Sequence, residues 1–294
     1  MLVRIALSPF FAFDAVVRSH GWYGLPPFEY DRGSGVLHTI VEVGPLTTAL
    51  SRGESERAAE IWFSVRNGRL EARADGLEAR ALRAVTRRVF SLDLDFTRAH
   101  ESLAAVPEIA RSLDRRGGRM LRAPTLFEDA VKILFTTNCS WAATRGMVVR
   151  LIALAGAEGR AFPGPVRLAK IPAATLASRV RCGYRAESLQ LLAKRVSSGK
   201  LDLASWENPA RSSEDLREAI VAEHGFGPYA AEGLMRILGR HDFFALDSWT
   251  RQQYRRRYPG AAAATDRSIA RRYGRFGAHR GLALWLDMTR DWHE

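Results

Sequence analysis

The chain has 294 residues, enough to bury one large core or two modest ones, and its 44 Lys and Arg exceed its 32 Asp and Glu for a formal charge of +12. Its two cysteines, Cys139 and Cys182, are too few for a four-cysteine iron–sulfur cluster, and the lack of CxxC or HExxH spacing argues against a zinc site. With no apolar run of about 18 residues and no signal-peptide pattern, the expectation is a soluble, cytoplasmic protein that crosses no membrane.

In chain order, a helix is expected over Ser8–His20. Short, partly alternating segments follow at Val36–Val43, Ile61–Val65, Arg69–Ala74 and Val89–Leu94, with a second helix at Leu77–Thr86. Turn-forming stretches separate them: Asp31-Arg32-Gly33-Ser34-Gly35, Arg52-Gly53-Glu54 and Asn67-Gly68. The last stands between two strand-like runs, where Asn-Gly is a strong signal for a two-residue hairpin loop. From about residue 97 apolar positions recur every three or four residues through Leu103–Leu113, Leu126–Phe135, Ala143–Leu154, Thr175–Val180, Ala186–Val196 and Leu216–Glu223. Pro259-Gly260 before Ala261–Ala264 reads as a helix start, and a last helix near Gly281–Arg290 should turn Leu282, Trp285 and Leu286 inward. The expected class is α+β: an N-terminal antiparallel sheet domain with flanking helices over residues 1–96, then an all-α core over residues 97–294.

The positive charge is uneven. Residues 251–280 hold nine arginines and one acid, Asp266. Arginine suits phosphate contacts, so the partner expected is a polyanion, with Arg251, Arg255 and Arg256 as backbone contacts.

The most informative stretch is 224–250, HGFGPYAAEGLMRILGRHDFFALDSWT. Gly225-Phe226-Gly227 can bring a backbone close to a ligand, and Pro228 suits a first helical turn because its missing N–H would be unbonded there anyway. The free amides of that turn form an anion site. Asp247 follows Gly227 by twenty residues and closes the apolar run Phe243–Leu246, which makes its carboxylate a candidate for chemistry. The plain alternative is that Asp247 caps the helix after it.

This pattern resembles the helix-hairpin-helix DNA glycosylase superfamily, with the hairpin near residues 216–239. Two further stretches resemble its 8-oxoguanine branch: Thr136-Thr137-Asn138 followed by Gly146-Met147-Val148, and Gly183-Tyr184-Arg185-Ala186. The resemblance implies a two-lobed helical core that binds double-stranded DNA as a monomer and flips a nucleotide into a pocket. Asp247 would be catalytic, Gly225, Phe226 and Gly227 would grip a phosphate, and Asn138, Tyr184 and Arg185 would fill the vacated gap. Asn138 as a helix cap and Tyr184 as packing remain open. Where bifunctional members carry a lysine, this chain has Tyr229, so the resemblance shifts to the monofunctional, alkyl-base-removing enzymes that use water. No cofactor is implied beyond an alkali cation held by hairpin carbonyls.

Flipped bases stack on aromatic faces, and the candidates are Trp22, Tyr23, Trp141, Tyr229, Trp249 and Trp285. His20–Phe28 is unusually aromatic for a surface loop, although any one of these rings could belong to the core. Two other readings stay open: a glycosylase for a bulky modified base in phage or foreign DNA, and a DNA-binding protein without chemistry.

Overall fold

A computed structural model describes residues 1–43, 57–115, 117–261 and 263–292. The expected turn Arg52-Gly53-Glu54 and Ala262 of the alanine run lie outside the described residues.

Five antiparallel strands form one sheet: β1 (Leu2–Ala6), β2 (Glu29–Asp31), β3 (Val36–Val43), β4 (Arg57–Arg66) and β5 (Arg69–Ala74), in the order β1-β5-β4-β3-β2. Asn67 at φ 49 and Gly68 at φ 69 make the tight turn between β4 and β5, as their chemistry predicts. β1 and β2 escape a pattern reading because one has only Val3 and Ile5 turned inward and the other is three residues long. Val89–Leu94 is not a strand. Val89 ends a helix, Ala79–Val89, which buries Leu82, Thr86 and Val89 at helical spacing, and Ser91 then turns the chain at φ 50. The expected helix at Ser8–His20 shortens to α1 (Phe13–Val17), followed by a tight turn at Gly21–Gly24.

After α2 (Ala79–Val89) come α3 (Thr97–Leu103) and α4 (Pro107–Asp114). The sequence pattern fused these two. Val106 precedes a proline and is held extended at φ −100, ψ 106, which stops a continuous helix. Next are α5 (Leu126–Thr136) and α6 (Trp141–Ala155), whose first turns are capped by Thr125 and Ser140. α7 (Pro165–Ala169) and α8 (Ala173–Thr175) lead through a wide turn at Leu176–Val180 into α9 (Arg185–Ser197). The last elements are α10 (Ser213–Val221), α11 (Pro228–Ile237), α12 (Ser248–Arg257), α13 (Asp266–Gly274) and α14 (Arg280–Met288). Leu282, Trp285 and Leu286 of α14 are buried as expected. Among the described residues no helix is long and apolar enough to cross a membrane.

Two apolar clusters organise these elements. One runs from the sheet (Ile5, Leu37, Phe63) into α5, α6, α9, α10 and α11, and α5 is buried continuously from Leu126 to Phe135. The other joins Phe96, Leu103 and Ile109 to Tyr254, Ile269 and Leu282. The α11–α12 loop passes from one to the other: Phe243 packs on the first, Phe244 and Leu246 on the second. Asp247 therefore sits where the two lobes meet.

Candidate active site

The two hairpin glycines are there for different reasons. Gly225 has φ +88, and a Cβ on it would fall 2.6 Å from Ser188 Cβ and 3.1 Å from Leu134 Cδ1. Only glycine fits. Ser188 Oγ also meets His224 Nδ1 at 2.9 Å, tying the turn to α9, and Phe226 is buried beneath it. Gly227 is ordinary extended backbone (φ −77, ψ 179), and nothing lies within 4 Å of a Cβ built on it. The expected close approach of a ligand to the backbone is therefore open at Gly227, while Gly225 is required by its own conformation and packing. At Gly227 a side chain would obstruct only a molecule approaching from outside. α11 begins there with Pro228 in its first turn and no side-chain cap, so the amides of Tyr229 and Ala230 have no intrahelical acceptor.

Asp247 is partly buried and caps α12, its Oδ1 accepting from the Thr250 amide at 2.6 Å. Tyr229 and Arg236, both on α11, interact electrostatically with it. Burial raises the Tyr229 hydroxyl pKa, and the Asp247 carboxylate adds to that rise. Burial lowers the pKa of the Arg236 guanidinium, and Asp247 is the strongest opposing influence. The Tyr229 hydroxyl reaches Thr136 Oγ1 at 3.5 Å, joining the hairpin helix to the last residue of α5. Arg236 lies over the Trp285 ring at 4.2 Å and donates to the carbonyls of Phe244 (3.2 Å) and Ala245 (2.9 Å). Glu232 accepts the Ala245 N–H at 3.0 Å. Sequence reasoning missed both residues: on an amphipathic helix they look like solvated charges.

The aromatic candidates separate. Trp141 is 45% exposed and covers Gly21, where a Cβ would touch its ring at 2.5 Å. Trp22 beneath it is 3% exposed, with its indole N–H donated to Asp129 at 2.8 Å, so it belongs to the core rather than to an open pocket wall. Leu25 and Phe28 are buried as well, so His20–Phe28 is not a surface loop. Tyr23 stands edge-on to Tyr30 of β2, whereas Trp249 packs against Trp285 and Trp292 at 5.7 and 5.2 Å. Lys132, on the α5 helix beside α11, has no exposed surface and pairs with Glu128 at 2.6 Å.

Asn138, Tyr184 and Arg185 do come together. Asn138 has φ +46 and donates to the Tyr184 hydroxyl at 3.3 Å, while Ser140 takes the cap of α6. That hydrogen bond lowers the Tyr184 pKa. Tyr184 is 62% exposed and free to meet a ligand. Arg185 is not: it is buried, stacks on the Tyr184 ring at 4.5 Å, and donates to the carbonyls of Thr137 and Cys182. Its work is to hold the Asn138 turn. Arg255 and Arg256 are exposed, whereas Arg251 makes a two-nitrogen pair with Asp266 at 2.7 and 2.8 Å. Among the described residues no group of three or more His, Cys, Asp or Glu could hold a metal.

No family model matches the sequence, and no curated protein matches it. Solved structures do match. MBOgg1 in complex with a low-affinity DNA ligand is 20% identical with a TM-score of 0.74, over 98% of this chain and 94% of that one. The 8-oxoguanine glycosylase/lyase of Clostridium acetobutylicum, bound to double-stranded DNA, is 17% identical with a TM-score of 0.71, over 97% and 93%. The 3-methyladenine DNA-glycosylase of Archaeoglobus fulgidus is 18% identical with a TM-score of 0.71, over 98% of both chains. The sheet, the two helical lobes and the hairpin together are the fold of the helix-hairpin-helix DNA glycosylases.

Proposed function

We propose that the protein is a monofunctional DNA glycosylase that flips a modified base, foremost an alkylated one, out of duplex DNA and hydrolyses its N-glycosidic bond. The observation that carries this reading is the partly buried Asp247 carboxylate at the head of α12, electrostatically coupled to Tyr229 and Arg236 of the hairpin helix. A phosphate would take the amides of Tyr229 and Ala230, approaching over the bare Gly227, and would fix the DNA without reading its sequence. Asn138 and Tyr184 would enter the gap left by the flipped nucleotide. The departing base leaves positive charge on the sugar, which a carboxylate in the position of Asp247 would stabilise while orienting water. Trp141, Tyr229 and Trp249 would border the base, and Arg255 and Arg256 would contact the backbone. An alkali cation, where present, would use backbone carbonyls of the hairpin.

Hydrolysis is preferred over lyase chemistry because Tyr229 has no amine to attack the sugar and Lys132 is sealed against Glu128. The solved structures of this fold include both a glycosylase/lyase and a 3-methyladenine glycosylase by name, so the support for hydrolysis comes from these residues and not from the fold.

The test is a set of duplexes each carrying one 7-methylguanine, hypoxanthine, uracil, 8-oxoguanine or bulky alkylated base. The expected result is release of a methylated purine, with strand breaks only after alkali or heat. A protein–DNA adduct trapped by borohydride would refute the hydrolytic mode. Duplex binding without release of any base would favour the non-catalytic reading.

A further inference from the structure

Ala245 lies two residues before Asp247 with φ +46, a left-handed conformation that a residue bearing a Cβ does not hold unaided. Three hydrogen bonds keep it there, all from α11. Its N–H donates to Glu232 Oε2 at 3.0 Å, its carbonyl accepts from Arg236 at 2.9 Å, and the same guanidinium nitrogen reaches the Phe244 carbonyl at 3.2 Å. Each holder is itself held: Glu232 pairs with Arg217 at 3.3 Å, and Arg236 lies against Trp285 at 4.2 Å. Tyr229, Glu232 and Arg236 occupy positions i, i+3 and i+7 of one helix, so they share a face. That face is turned toward the loop carrying Asp247.

We propose that Glu232 and Arg236 are positioning residues for the Asp247 carboxylate, clamping the Phe244–Ala245 backbone so that the chain enters α12 with Asp247 turned toward the start of the hairpin helix. The proposal rests on the reading of Asp247 as the catalytic group. A clamp of two polar contacts on a strained residue matters because reactivity falls steeply when a catalytic group shifts by an ångström. The position of the clamp also couples two functions: the helix that would receive the phosphate through its first-turn amides fixes the carboxylate from its second and third turns.

The experiment measures single-turnover base release and duplex affinity separately on the set of duplexes described above, for wild type, Asp247→Asn, Glu232→Ala, Glu232→Gln and Arg236→Lys. Glu232→Ala should slow base release on the order of 10²-fold while changing the Kd of the same duplex by no more than about threefold. Glu232→Gln should recover most of the rate, since an amide oxygen can still accept the Ala245 N–H. Arg236→Lys should resemble Glu232→Ala, because an ammonium does not reproduce the planar guanidinium that lies on Trp285 while one of its nitrogens reaches both carbonyls. If Asp247→Asn is inactive but Glu232→Ala and Arg236→Lys release base at the wild-type rate, the clamp is refuted and the site stands. The clamp is also refuted if Glu232→Ala loses rate and affinity in equal measure, or if Glu232→Gln is as slow as Glu232→Ala. Release of base by Asp247→Asn at the wild-type rate, or release of no base by wild type, overturns both.

Discussion

Asn138 and Ala245 have the same φ, +46, and each sits in a turn that presents a functional candidate: its own side chain in the first case, Asp247 in the second. Each turn is gripped by an inward-facing arginine that donates to backbone carbonyls and stacks on an aromatic ring. Arg185 does this with Thr137, Cys182 and Tyr184; Arg236 does it with Phe244, Ala245 and Trp285. The difference lies in the residue being held. Asparagine enters the left-handed region readily, and its amide finds the Tyr184 hydroxyl. Alanine has neither advantage and takes a second partner, Glu232. Both turns thus lean on another helix, α9 for Asn138 and α11 for Asp247, but the alanine, with no preference of its own for this conformation, needs the additional carboxylate. The comparison also qualifies the net charge of +12, because arginines spent on carbonyls do not face a polyanion.

The largest separation between the two turns should appear in catalysis. Asp247→Asn is expected to lower single-turnover base release about 10²–10³-fold with duplex affinity nearly unchanged. Asn138→Ala removes one neutral hydrogen bond and should cost at most about tenfold, mainly in affinity. Equal losses in rate from the two variants would erase the distinction. The hairpin glycines then ask whether left-handed backbone or open space is the constraint. Gly225→Ala combines a left-handed penalty of about 1–2 kcal/mol with the clash on Ser188, and thermal denaturation should show a fall of several degrees. Gly227→Ala should cost less than about 1 kcal/mol of stability, as a poorer cap, yet weaken duplex binding.

Acid should loosen the Asp247 side first. His241 opens that loop with neither ring nitrogen hydrogen-bonded, and burial, reinforced by Arg236, holds its pKa down to about 3. Burial likewise lowers His20 to about 4. An unfolded imidazole titrates near 6.5, so below that pH the unfolded chain binds more protons and stability is lost as the pH falls toward these values. Hydrogen exchange at pH 5 should rise for residues 241–247 before residues 136–141; the reverse order would break the argument. Smaller still, Ala245→Gly should stabilise by up to about 1 kcal/mol, whereas Asn138→Gly should not, measured by chemical denaturation. Last, Arg255→Ala or Arg256→Ala should each reduce the salt slope of DNA binding by about one, and Arg185→Met should leave the slope unchanged.

What could be read from the chain follows from how local each signal is. Asn67-Gly68, the Gly225–Pro228 turn and the spacing to Asp247 are set by neighbours in sequence and are found where expected. The Val106-Pro107 break was also written in the sequence, but the periodicity of Leu103–Leu113 hid it. The inward turn of Arg185, the burial of Trp22 on Asp129 and the clamp from α11 to Ala245 are different. Each depends on a partner that only the tertiary arrangement supplies, and by type an arginine, an indole and a glutamate are equally at home on a surface.

The second apolar cluster has a consequence for the order in which the molecule is built. It joins α3 and α4 to helices α12, α13 and α14 near the other end of the described chain, and α14 is tied to the N-terminal region by the Trp285 indole donating to the Ser19 carbonyl at 3.2 Å. Such distant pairings close large loops and form late, after the more local contacts around α5, α10 and α11. Trp285 is also the surface on which Arg236 rests. A chain lacking α14 would lack the support under the Asp247 loop while keeping the contacts of the hairpin with α5 and α9. On the proposed reading, the capacity to grip DNA would therefore precede the capacity to release a base from it.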